Sequence, residues 1–242
     1  MRYFITLGYD GTSFHGWQIQ PNGCSVQEEL QKALSTLLRQ PTEVVGAGRT
    51  DAGVHARKMV AHFNSDAPID CDQLAYRLNR MVPRSMAIYK VEQVADDMHA
   101  RFSAKKRTYR YFVHTRKDPF LRHYSCEMHY ELDFDLMNEA AQTLMDYSDF
   151  GAFCKSHSDV KTTICRVMYA RWHRTSPTEW YFEISADRFL RNMVRAVVGT
   201  LVDVGRHRLS LDEFRGVVEG RKRTAAGESM PGMALFLEDV EY

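Results

Sequence analysis

Gly46-Ala47-Gly48-Arg49-Thr50-Asp51-Ala52-Gly53-Val54-His55-Ala56 is the stretch from which the rest of the chain can be read. Glycines at 48 and 53 bracket a cation and a carboxylate, so the backbone can turn sharply and approach a ligand closely. The residues near 43–47 and 58–64 predict two short strands joined by this loop. Taken alone, such a run is more often an ordinary Gly/Asp turn with a local Arg–Asp pair. It is not a phosphate-binding loop, because the Gly-Lys-Ser/Thr ending is missing.

Outward from that loop, the residues at 2–8 alternate and include β-branched and aromatic types, which predicts a strand. Ser25 and Glu28 form a capping box for a helix that ends near Gln40, before Pro41. A helix near 72–81 and a strand over 86–94 follow. Further strands are expected at 107–114 and 124–130, a helix near 135–146, and strands near 163–174 and 179–186. A long helix is expected over 188–204, with Gly205 as its C-cap and Arg188, Arg191 and Arg195 on one face. Ser210 and Glu213 start a shorter helix that ends at Gly220, and Leu235–Val240 closes the chain as a strand. The pattern is α+β, with an antiparallel or mixed sheet and helices banked on one face.

Composition narrows the class. The 242 residues suffice for a core without staples, and no apolar run is long enough for a bilayer span. The N-terminus reaches Asp10 too soon for a signal peptide, so a cytoplasmic protein is expected. Five widely spaced cysteines with no Cys-x-x-Cys argue against a disulfide framework or a zinc knuckle. His55 and His62, like His123 and His129, have no Glu at ligand spacing, so no metal is expected. The net charge of +1 hides polarity: Arg101–Lys117 holds seven basic residues and no acid, whereas Glu127–Asp149 holds seven acids and no Lys or Arg. One basic face suits a polyanion.

Arg107-Thr108-Tyr109-Arg110-Tyr111-Phe112 interleaves aromatics that can stack on bases with cations that can hold phosphates. On a strand, Tyr109, Tyr111 and Val113 share one face and Arg110 and Phe112 the other. Arg101, Lys105, Arg110 and Arg191 are candidate RNA contacts on the same ground. Arg195 sits among Met193, Val194, Ala196, Val197 and Val198, where a guanidinium needs a carboxylate or phosphate.

Together these segments resemble the tRNA pseudouridine synthase A family over nearly the whole chain. The resemblance is carried by Tyr9–Gln18, Ser25–Glu28, Gly46–Ala56, Ala100–Ala104, Tyr109–Tyr111, Phe150–Phe153 and Phe189–Arg195. Ser229-Met230-Pro231-Gly232-Met233-Ala234-Leu235 departs from it, standing where the family has Thr-Ala-Pro-Ala-x-Gly-Leu. The resemblance implies a pseudouridine synthase fold. Two similar α/β halves place mostly antiparallel strands in one extended sheet, with helices packed against it and an RNA-binding cleft. Residues 1–103 would carry the Asp loop, and 104–242 the Tyr strand and the Arg helix.

The resemblance further implies that Asp51 is the catalytic carboxylate, Tyr109 the residue packed against the target uracil, and Arg195 the partner of the aspartate. Arg49 would help turn the base out, and Lys155, Ser156 and His157 would lie in a tRNA-contacting loop. It implies a homodimer without cofactor or metal, acting on uridines 38, 39 and 40 of the tRNA anticodon stem–loop. The alternatives are a tRNA-binding or chaperone protein without turnover, and an RNA hydrolase or N-glycosidase.

Overall fold

The computed structural model describes residues 1–21, 23–156 and 160–242. They divide into two compact units, Met1–Lys105 with Phe236–Tyr242, and Lys106–Leu235. The seven closing residues, read from sequence as part of the C-terminal half, therefore belong to the first unit.

In the first unit, β1 (Arg2–Tyr9) pairs antiparallel with β3 (His55–Asn64) on one side and β4 (Met86–Val94) on the other. The short β2 (Val45–Gly46) pairs with β3, and the closing strand, Leu235–Glu241, pairs with β3 in parallel through Phe236 and Leu237. Lys58 pairs with Asp239 at 2.5 Å, and the Tyr242 hydroxyl donates to the Ala100 carbonyl at 2.7 Å. These links tie the chain end to its beginning.

Helix α1 (Val26–Leu38) buries Val26, Leu30, Ala33 and Leu34. Ser25 caps it by accepting from the Glu28 N–H. Glu28 pairs with Lys32 at 3.0 Å, and no reciprocal cap from its side chain forms among the described residues. Arg39 ends the helix in the left-handed conformation (φ 56°), two residues before Pro41. Helix α2 (Cys71–Asn79) packs on β4.

In the second unit, β5 (Lys106–His114), β8 (Glu179–Ala186) and β7 (Val167–Ser176) lie in the order β5-β8-β7 as antiparallel neighbours. Only Cys126–Glu127 of the expected strand at 124–130 pairs, as β6 alongside β5. Helix α3 (Phe134–Thr143) packs on β7 and on α4 (Met193–Gly205), and α5 (Leu211–Gly220) packs on both helices. Helix α4 is buried nearly all round, leaving only Arg195 and Asp203 partly exposed. A helix apolar on every side belongs in a core. The α5 capping box forms as expected, with Ser210 and Glu213 capping each other.

Helix α4 begins at Met193, not at Arg188. Asn192 takes the left-handed conformation (φ 67°), which an asparagine tolerates better than most side chains, and it breaks the run. Arg188 and Arg191 therefore stand on a turn before the helix and share no helical face with Arg195. The helix runs through Gly205, and the chain reverses at His207 (φ 55°). The five cysteines are free thiols, with Cys126, Cys154 and Cys165 buried.

One buried histidine of the first unit makes its stability depend on pH. His62 on β3 accepts from the Ala100 N–H at 3.1 Å, and its ring lies 4.6 Å from that of His99. Burial, helped by His99 and Arg2, lowers its pKa to about 4. The unfolded chain takes up this proton below about 6.5, while the folded chain resists it down to about 4. The contribution is thus complete above pH 6.5 and is lost as pH falls through that window, at up to about 1.4 kcal/mol per pH unit. Thermal melts from pH 7 to 4.5 should fall less steeply for His62→Gln than for the parent protein. Parallel curves would contradict the assignment.

Candidate active site

The Gly48–Val54 loop carries no strand pairing of its own, so its backbone groups must find partners elsewhere. The segment that follows β1 supplies them. Trp17 N–H donates to the Thr50 carbonyl at 3.2 Å, and Gly53 N–H donates to the Phe14 carbonyl at 3.2 Å. Within the loop, Val54 N–H closes on the Asp51 carbonyl at 3.2 Å. The Tyr9 hydroxyl shares a hydrogen bond with Thr50 Oγ1 at 2.9 Å, and Gly11 N–H donates to His55 Nδ1 at 3.0 Å. Asp51 is thereby held at half exposure, between the buried Thr50 and the exposed Ala52.

Two glycines make this packing possible. Gly53 turns the loop at φ 76°. Gly16 stands at φ 89°, and a Cβ there would fall inside the van der Waals shell of the Thr50 carbonyl oxygen. Asp10, a second carboxylate near the loop, accepts from the Thr12 N–H (2.9 Å) and hydroxyl (2.6 Å). Tyr9, Gly11, Gly16, Trp17 and His55 received no individual role in the sequence reading. Their signal was present in the Tyr9–Gln18 motif, but the loop that the motif serves is more than thirty residues away.

The remaining candidates of the first unit lie at its surface. Arg49, Arg101 and Lys105 are exposed. Phe102 is 76% exposed, with the Arg101 guanidinium 5.7 Å from its ring centre.

In the second unit, Tyr109 on β5 is buried, its ring edge-on to Phe189 at 5.0 Å. Tyr109, Tyr111 and Val113 form the buried face of β5, as the strand alternation requires. On the other face, Arg110 pairs with Glu183 across the sheet at 2.7 Å and lies 4.8 Å from the centre of the Tyr181 ring. Arg110 is thus held against β8.

Arg195 projects from the first turn of α4 and donates from Nε to the Met230 carbonyl at 2.5 Å, while Met230 N–H donates to the Arg195 carbonyl at 3.2 Å. The neighbouring Pro231 carbonyl accepts from the Tyr111 hydroxyl at 3.0 Å. Burial pushes the Tyr111 hydroxyl well above the usual tyrosine pKa, so it stays a donor.

The segment Glu228–Pro231 straps α4 to the face of β5 that bears Tyr109. Ser229 Oγ anchors it, lying 2.5 Å from Asn192 Nδ2 and 2.8 Å from an Arg223 terminal nitrogen. Gly199 lets the strap approach, because a Cβ there would clash with the Glu228 carbonyl. Arg107 Nη1 donates to the Asp187 carbonyl at 2.6 Å and steadies the turn that carries Phe189 and Arg191.

Lys155 and Arg191 are exposed and meet through their backbones, Lys155 N–H donating to the Arg191 carbonyl at 3.0 Å. Ser156 is exposed, and His157 lies outside the described residues. Among the described residues, no group of three or more His, Cys, Asp or Glu side chains is placed to hold a metal. Among the described residues, no helix is long and apolar enough to cross a membrane.

A family model described as tRNA pseudouridine synthase matches residues 6–103 and 140–242. The chain belongs to the tRNA pseudouridine synthase family. Tyr109 falls between the two matched ranges, but similarity to individual relatives spans the whole chain. The tRNA pseudouridine synthase A of Bacteroides fragilis is 59% identical over 242 residues, covering 100% of this chain and 96% of the relative. The protein of the same name from Parabacteroides distasonis is 54% identical over 242 residues, with coverage of 100% and 96%. That of Bacillus subtilis is 40% identical over 246 residues, with coverage of 100% and 99%. A pseudouridine synthase is an isomerase: the N1–C1′ bond of uridine is exchanged for a C5–C1′ bond and no atom is gained or lost.

The bracing of the Asp51 loop can be probed at Gly16. Gly16→Ala should displace Thr50 and Asp51, costing roughly 1–3 kcal/mol from the left-handed backbone and the new contact. Pseudouridine formation should fall at least tenfold while the far-ultraviolet circular dichroism stays that of the parent. Undiminished turnover would mean that the 9–17 segment does not set the carboxylate's position.

Proposed function

We propose that this protein converts uridines 38, 39 and 40 in the anticodon stem–loop of tRNA to pseudouridine, working in the cytoplasm as a homodimer, without cofactor or metal. The observation that carries the reading is the Asp51 loop itself. A half-exposed carboxylate is fixed by backbone bonds from a distant segment, in a chain of this family.

The reaction requires the uracil to leave C1′, turn, and return through C5. A single carboxylate suffices, either by attacking covalently or by stabilising positive charge at the sugar. A second carboxylate that activated water would release free uracil. Asp10, the other acid near the loop, is engaged by Thr12. The resemblance of the Gly48–Gly53 loop to the family motif is what assigns Asp51 as the catalytic residue. By the family resemblance Arg195 is the partner of the aspartate, and within its own unit its Nε bond to Met230 fixes the guanidinium. Tyr109 covers the uracil as a stacking lid.

The uridine must first be turned out of the helix, at a cost of a few kcal/mol. Arg49, exposed in the Asp51 loop, helps turn the base out. Arg101, Lys105, Arg110, Lys155, Ser156, His157 and Arg191 bind the RNA and supply the free energy for this step. For Arg110 that role requires the Glu183 pair to be shared or exchanged with phosphate.

Asp51→Asn should abolish pseudouridine formation, mapped by carbodiimide modification of tRNA, while leaving tRNA affinity within about threefold of the parent. Arg195→Lys cannot reproduce a planar guanidinium bonded through Nε, and should lower turnover by roughly tenfold or more. Full activity in Asp51→Asn would overturn the assignment. Binding without turnover in the parent protein would favour a chaperone, and free uracil would favour an N-glycosidase.

A further inference from the structure

The loop between β5 and β6 carries a concentration of exposed cations and aromatics that the site above does not use. Arg116, Lys117, Phe120, Arg122, His123 and Tyr124 are all exposed, and Phe120 is 87% exposed. Phe120 does not stand alone but within a patch that also exposes Tyr124 and the cations, and it is the grouping that marks a contact surface.

The loop has a defined shape. Asp118 Oδ1 accepts from the Phe120 N–H at 2.7 Å, so the acid within the basic run is turned into its own backbone. Leu121 N–H donates to the Asp118 carbonyl at 3.3 Å, and the N–H groups of Tyr124 and Ser125 both donate to the Leu121 carbonyl at 2.9 Å. Thr115 N–H donates to the Thr178 carbonyl at 2.9 Å, which fastens the base of the loop to the β7–β8 hairpin. These bonds hold Pro119 and Phe120 at the outside of a tight turn, with Arg116 and Lys117 before it and Arg122 after it.

We propose that this loop is a second tRNA-binding surface, on which an unpaired base of the tRNA stacks on Phe120 while Arg116, Lys117 and Arg122 hold the flanking phosphates. An aromatic platform framed by cations is the arrangement that recognises unstacked bases in single-stranded RNA. The surface is displaced from Tyr109 along β5. At about 3.3 Å per residue, His114 at the end of β5 is already some 17 Å beyond Tyr109. On this proposal the contacted nucleotide lies outside the anticodon hairpin, and the contact distinguishes whole tRNA from an isolated hairpin.

The test compares full-length tRNA with a hairpin of the anticodon stem–loop, by fluorescence anisotropy against the parent protein. Phe120→Ala should weaken binding of full-length tRNA roughly tenfold and leave the hairpin affinity unchanged. Replacing Arg116, Lys117 and Arg122 together by Ala should lower the slope of log K against log salt by about 2–3 for full-length tRNA only. Unchanged tRNA affinity and salt slope in both variants would overturn the proposal. So would an equal loss on the hairpin, or a change in sedimentation behaviour in place of a change in tRNA affinity, which would make the loop a protein-contact surface. Pseudouridine formation in the parent protein tests the isomerase reading separately, so the two can fail independently.

Discussion

Irregular backbone packed against a core must still pair its N–H and C=O groups, because a buried unpaired amide costs on the order of 1–3 kcal/mol. Both the Asp51 loop and the Glu228–Pro231 strap meet this constraint with partners distant in sequence. The Asp51 loop gives its backbone groups to Phe14 and Trp17. The strap at Glu228–Pro231 exchanges backbone and side-chain bonds with Arg195, and Ser229 ties it to Asn192 and Arg223. In each case the candidate side chain, Asp51 or Arg195, is positioned by the solution to a backbone problem. That is more rigid than side-chain packing on a free loop, since displacing the loop would break several hydrogen bonds together.

The same constraint gives a physical account of the C-terminal segment that departs from the family pattern. Ser229-Met230-Pro231 acts through main-chain carbonyls, with Met230 O accepting from Arg195 and Pro231 O from Tyr111. Carbonyl oxygens are common to all residue types, so the departure leaves the two contacts intact. The Ser229 hydroxyl anchors the strap. The glycine at 199 lets the strap reach the helix closely enough for these bonds.

Electrostatics is arranged in two ways. In the second unit the charged groups near the core are paired, as with Arg110 and Glu183, or spent on carbonyls, as with Arg107 and Arg195. The cations at Arg49, Arg101, Lys105, Lys155, Arg191 and the β5–β6 loop are exposed, where binding a polyanion costs little desolvation. A net charge of +1 conceals this division, because the acids cluster in a different stretch of the chain.

Much of the element order was legible in the sequence by itself. The alternation in 86–94 and 179–186, the Ser25 and Ser210 caps and the stop before Pro41 are local effects, and local physics decides them. The start of α4 was misplaced because Arg188–Arg191 suits a helix, while the left-handed turn at Asn192 is imposed by Ser229, 37 residues on. The strand at 124–130 shrank to two residues because the preceding turn draws in the backbone of Tyr124 and Ser125. Asp51, Tyr109 and Arg195 could be singled out by motif, since residue type and spacing are linear properties. What holds Asp51 and Arg195 could not. Hydrogen bonds between Trp17 and Thr50, or between Arg195 and Met230, join residues whose separation along the chain carries no periodic signal, and only the folded backbone brings them together.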